Sequence, residues 1–135
     1  MKLQLNQKGK KIIERLDIEA VILFGSRAQG LAGTASDFDF GVLLAHSVSR
    51  ERRTQIYDTL YDLLSSKIKE LTNIDIVFLY DAPMELQSHV ARYGIPLYER
   101  NIHSFARFRE RVMNEYADFA PLREVFHKAI LSRIP

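Results

Sequence analysis

Five apolar residues run without interruption from Ala20 to Phe24 and stop at Gly25-Ser26. A run of that length and composition reads as a central, buried strand, and the rest of the chain has to supply its neighbours. Gly25 permits a tight turn and close backbone approach, and Ser26 adds a hydroxyl donor where a short helix is expected to begin. Together they form a small cradle suited to a phosphate. Asp37-Phe38-Asp39-Phe40 follows, leading into Gly41-Val42-Leu43-Leu44, an alternation that predicts a second strand. With a rise of about 3.3 Å per residue, Asp37 and Asp39 face the same way with Cα atoms roughly 6.6 Å apart, so both carboxylates can converge on one or two divalent ions.

The flanking segments are consistent with an α/β (α+β) fold in which a small mixed sheet of about four strands is backed by helices. An amphipathic helix is expected over Leu3 to Leu16, weakened by Gly9. A long helix is expected from Arg50 to Leu71, capped by Ser47 or Ser49, with Ile56, Leu60, Leu63, Leu64, Ile68 and Leu71 inward. Ile74 to Tyr80 predicts a third strand, and Asp81-Ala82-Pro83 the start of a short helix to Tyr93, with Asp81 as cap and Gly94 as its stop. Ile95 to Tyr98 is a fourth strand, placed at an edge because Pro96 lacks a ladder donor. From Ile102 onward Phe105, Val112, Tyr116 and Phe119 recur at helical spacing, and Pro121 interrupts the pattern. Residues 101–135 thus form a helical tail on a single domain spanning 1–135. Its charges, including Arg107, Arg109, Arg111, Glu110 and Glu115, read first as a solvated face and second as a docking surface.

Asp75 is the one acid in the third strand. An ionised carboxylate in an apolar strand is costly unless it is paired or bound to metal. It could be a strand-edge acid matched by an arginine. If its strand neighbours the second, three carboxylates meet beside the Gly25-Ser26 turn, and magnesium is the ion that suits all-oxygen ligands. A nucleoside triphosphate then follows, with in-line attack by a hydroxyl on its α-phosphate. Arg27 either touches a phosphate or bridges to an aspartate. Taken singly, Gly-Ser turns and Asp-x-Asp pairs are ordinary loop features; their combination with Asp75 carries the reading.

Other chemistries lack support. No P-loop, dinucleotide fingerprint or nucleophile elbow occurs, and His46, His89, His103 and His127 show no ligand spacing. With 135 residues, 47% of them hydrophobic, the chain can bury one core. A formal charge of +2 provides no field that would draw it onto nucleic acid, and direct nucleic-acid binding is not expected. It has no cysteine and no apolar run near the roughly eighteen residues of a membrane span, so a soluble, cytoplasmic protein is expected.

Gly25-Ser26, then Asp37-x-Asp39, then Asp75 in a later strand resembles the nucleotidyltransferase superfamily of DNA polymerase beta. The longer pattern, Gly25-Ser26-Arg27-Ala28-x-Gly30 through Ser36-Asp37-x-Asp39 on a short chain, is similar to its minimal nucleotidyltransferase (MNT) branch, over about Ile18 to Glu99. The resemblance implies that Gly25 and Ser26 hold the triphosphate of ATP and that Asp37, Asp39 and Asp75 bind Mg2+. It also implies an antitoxin of a type VII-like toxin–antitoxin system, forming a hetero-oligomer with a HEPN-domain ribonuclease toxin and transferring AMP to a tyrosine of that toxin. A chain with no second domain to enclose a small substrate needs its acceptor supplied by a partner. Two alternatives stand beside this one: an antitoxin that only masks the toxin, and a nucleotidyltransferase for a small molecule such as an aminoglycoside.

Overall fold

The structure, a computed structural model, describes residues 5–30, 37–68 and 73–116. Four strands form one mixed sheet: β1 (Ile18–Phe24), β2 (Phe38–Leu44), β3 (Ile74–Phe78) and β4 (Ile95–Glu99), in the order β3-β2-β1-β4. β1 pairs antiparallel with both β2 and β4, while β2 and β3 run parallel. The parallel pair needs a crossover, which α2 (Arg50–Lys67) supplies. α1 (Gln7–Glu14) precedes the sheet, α3 (Met84–Tyr93) lies between β3 and β4, and α4 covers 104–116.

Helices cover both faces. On one, Ile13 of α1 and Ile56, Leu60 and Leu64 of α2 pack against Val21, Leu23, Phe38, Phe40, Val42, Ile74 and Ile76. On the other, Val90 and Ala91 of α3 and Phe105, Phe108 and Val112 of α4 pack against Ala20, Ile22, Phe24 and Leu43. This two-sided burial is why β1 is apolar throughout rather than alternating. β4 is an edge, as Pro96 requires, and its register with β1 shifts next to that proline.

Several boundaries differ from expectation, each for a local reason. Asn6 caps α1 by accepting from the Gly9 amide at 2.8 Å, so the helix starts later than Leu3, and Leu16 is buried beyond its end. Gly9 therefore lies in the first turn, where it weakens little. Ser49 rather than Ser47 caps α2, and the helix stops at Lys67 because Ile68 is extended; Leu71 falls outside the described residues. β3 ends at Phe78, and Leu79–Asp81 form a 3-10 turn. Asp81 does not cap α3, which begins after Pro83 without a side-chain cap; its carboxylate pairs with Arg53 instead. Ile102 is 82% exposed in the turn before α4, and Phe108 takes the inward position assigned to it. The first half of the tail is thus part of the core, while Phe119, Pro121 and the remainder to 135 lie outside the described residues.

Among the described residues no helix is long and apolar enough to cross a membrane.

Candidate functional site

The site forms where β1 ends and where β2 and β3 begin. Phe24 is the register partner of Asp39 across β1 and β2, and Asp39 is the partner of Asp75 across β2 and β3. Asp39 shares its side of β2 with Leu43, and Asp75 shares its side of β3 with Val77. Leu43 and Val77 both pack on the α3 and α4 side, so the two acids point to that face of the sheet. The third strand does neighbour the second, as the placement of Asp75 had required.

Gly25 has φ of +77°, a conformation that side-chain-bearing residues rarely adopt, and a Cβ there would come within 2.4 Å of Asp39 Oδ2. The turn and the acid are therefore in direct apposition, and only glycine lets them meet. The Gly25 carbonyl accepts from the amides of Ala28 and Gln29 at 3.1 and 3.2 Å. This makes a turn over 26–30, where a short helix had been expected. Ser26, half-buried, begins that turn.

β2 begins at Phe38, so Asp37 stands just outside the strand, exposed, while Asp39 is half-buried and Asp75 exposed. Among the described residues no three His, Cys, Asp or Glu side chains are already gathered to hold an ion. The three acids nevertheless interact: burial, and then the charges of Asp75 and Asp37, hold the Asp39 carboxyl above its usual range. Among the described residues no hydrogen bond or ion pair offsets that cost. A divalent cation would, and an all-oxygen donor set is the kind magnesium takes. The residues present thus fit such an ion.

Arg27 does something the sequence had not suggested. Its guanidinium carbon lies 4.2 Å from the centroid of Phe38, which itself stacks on Phe40 at 6.2 Å. This contact ties the turn to the first residue of β2. Two histidines make defined contacts: His46 lies 3.3 Å from Asp17, and His89 lies between the rings of Phe24 and Tyr93. Sequence reasoning names His89 only as lacking metal-ligand spacing; its pairing with Tyr93, four residues on along a helix that stops at Gly94, was a usable signal of their contact.

A family model described as polymerase beta, nucleotidyltransferase matches residues 7–103. Among solved structures, the chain is similar to one from a toxin–antitoxin complex with AMP-PNP, at 22% identity and TM-score 0.66, covering 90% of this chain and 98% of that one. It is also similar to one from a variant of the toxin–antitoxin pair MntA–HpeT, at 25% identity and TM-score 0.65, covering 95% and 99%. A third is from a tri-AMPylated HEPN toxin of Shewanella oneidensis in complex with MNT antitoxin, at 20% identity and TM-score 0.62, covering 90% and 91%. No curated protein sequence matches significantly.

Proposed function

The chain belongs to the polymerase beta nucleotidyltransferase family, and from that premise we propose that it is a magnesium-dependent protein adenylyltransferase. It moves AMP from ATP to a tyrosine hydroxyl of a HEPN-domain ribonuclease and, as an antitoxin, neutralises it. The solved neighbour in which an MNT antitoxin accompanies a tri-AMPylated HEPN toxin supports that partner class, and the toxin–antitoxin neighbour with AMP-PNP supports a nucleotide substrate. ATP as donor is consistent with a cytoplasmic setting.

The observation that carries the reading is the contact geometry of Gly25, Asp39 and Asp75. The amides and hydroxyl of the turn after β1 bind the triphosphate, with Gly25 permitting its approach. Asp37, Asp39 and Asp75 would hold Mg2+, which when bound supplies neutralisation of the charge on the attacking and leaving oxygens. Asp75, exposed on an edge strand, is reachable by an acceptor and takes the proton of its hydroxyl. The acceptor oxygen bonds to the α-phosphorus, the bond to the bridging oxygen breaks, and pyrophosphate leaves. Arg27 positions the turn through Phe38.

The test is the intact mass of the partner ribonuclease after incubation with this protein, magnesium and ATP, beside the Asp37→Asn, Asp39→Asn double variant. A gain of one or more AMP units with the wild type alone is expected. A stable complex without mass gain would replace catalysis by masking.

A further inference from the structure

A phosphate cradle and an acid cluster leave the nucleobase without a seat, and the fold offers one on the side away from Asp75. Phe24, the last residue before Gly25, packs edge-on against His89, with centroids 6.5 Å apart and planes at 75°. His89 in turn meets Tyr93, one helical turn on, at 5.2 Å and 53°. The ladder leads outward from the turn: Phe24 is buried, His89 half-buried, and Tyr93 is 45% exposed. Beside it Ile95, which pairs with Leu23, is also 45% exposed.

The ladder lies on the catalytic face. Phe24 packs on the α3 side, the side to which Asp39 and Asp75 also point. α3 starts beyond the far end of β3 and reaches Gly94 just before Ile95 pairs at the site end of β1, so its C-terminal half, with His89 and Tyr93, lies beside the end of β1 that leads into Gly25. Asp75 occupies the opposite flank, on the β3 edge, and that flank must stay open for an acceptor. A triphosphate seated on the turn, with that flank left open, has α3 and β4 on its other side. Among the described residues, neither Tyr93 nor Ile95 contributes to either core cluster, so their exposed aromatic and aliphatic surface has no packing role there.

We propose that the ladder Phe24–His89–Tyr93, with Ile95, is the nucleobase subsite, the base stacking on Tyr93 and the flank of His89. This rests on the nucleotidyltransferase reading and deepens it: affinity for the donor comes from two separable parts, a phosphate part at Gly25-Ser26 and a base part on α3. Stacking of a base on one exposed aromatic contributes modestly and tolerates Phe in place of Tyr.

The experiment compares binding of ATP and of inorganic tripolyphosphate, both with magnesium, by calorimetry on wild type, Tyr93→Ala and Tyr93→Phe. Tyr93 is exposed, so the variants retain the fold, and a thermal melt checks this. Tyr93→Ala is expected to weaken ATP about five- to twentyfold with tripolyphosphate unchanged, and Tyr93→Phe to bind both as wild type does. Equal ATP affinity in wild type and Tyr93→Ala would overturn the subsite while leaving the nucleotidyltransferase reading intact. Equal losses for ATP and tripolyphosphate would overturn it as well, because they indicate a merely structural role. A wild type that binds neither ligand would overturn the donor reading itself, and this inference with it.

Discussion

Replacing Asp39 by asparagine keeps the shape of the side chain and removes its charge, so the structure makes a signed prediction. Neighbouring strands lie about 4.8 Å apart, and side chains on one face of a register pair place the Asp39 and Asp75 carboxylates roughly 6 Å apart. At that separation two unit charges repel by about 0.7 kcal/mol in water and about 2.8 kcal/mol at an effective dielectric of about 20. Asp75 is exposed and Asp39 only half-buried, so screening favours the lower part of the range, about 1 kcal/mol. Without divalent metal at neutral pH, Asp39→Asn should therefore raise Tm by about 3 to 5 °C for a chain of this size. The sign follows from linkage. The folded state holds the Asp39 proton more tightly than the unfolded chain does, so the ionised carboxylate costs stability at neutral pH. That cost fades as pH falls through the raised folded pKa and is gone below the ordinary value of 3.8. The advantage of the variant should fade with it. Millimolar magnesium should reverse the order, because wild type gains about 1.4 kcal/mol when the ion is present at about ten times its dissociation constant, while the variant gains little. Differential scanning fluorimetry with chelator and with magnesium reads both arms. A variant no more stable than wild type in chelator would refute the reasoning, since it would mean the carboxylate already has a compensating partner.

Gly25→Ala should cost about 1 to 2 kcal/mol through its positive φ, read as a lower urea midpoint, and should also abolish magnesium-dependent stabilisation because the new methyl displaces Asp39. At the other end of the sheet, Arg52 and then His46 lower the Asp17 carboxyl, and His46 is raised by the Ser47 carbonyl and then by Asp17. The Asp17 share of stability is present above the ordinary carboxylate value of 3.8 and is lost as pH falls through its lowered folded pKa. The His46 share is full below 6.5 and is lost as pH rises through its raised folded pKa. The gap between wild type and Asp17→Asn in urea midpoint should therefore be widest between about pH 4 and 6.5, and on the alkaline side it should shrink only to the Arg52 contribution; a flat gap across that range would refute the pairing.

What local chemistry dictates could be read from the chain alone. An uninterrupted apolar run such as Ala20 to Phe24 has few environments other than a strand covered on both faces, and a proline such as Pro96 has few places in a sheet other than an edge. Gly25-Ser26 followed by Asp37 and Asp39 announced the kind of chemistry because few other arrangements need a cradle and a pair of carboxylates so close together. Element ends were less legible. Lys67, Phe78 and Pro83 mark boundaries set by what the next residues pack against, which periodicity does not encode, and for the same reason Phe108 rather than Ile102 turned inward.

Only the tertiary structure decided what lies beside what. That Asp75 stands across from Asp39 depends on a parallel pairing made through the α2 crossover, and no spacing in the chain states which strand β3 joins. The contact between Gly25 and Asp39, the stacking of Arg27 on Phe38 and the ladder from Phe24 to Tyr93 are likewise products of register and packing between segments far apart in sequence. The physical reason is range: propensity and pattern act over a few residues, whereas a site made of carboxylates, a turn and an aromatic flank exists only once burial of the two faces of the sheet has fixed the order of its strands.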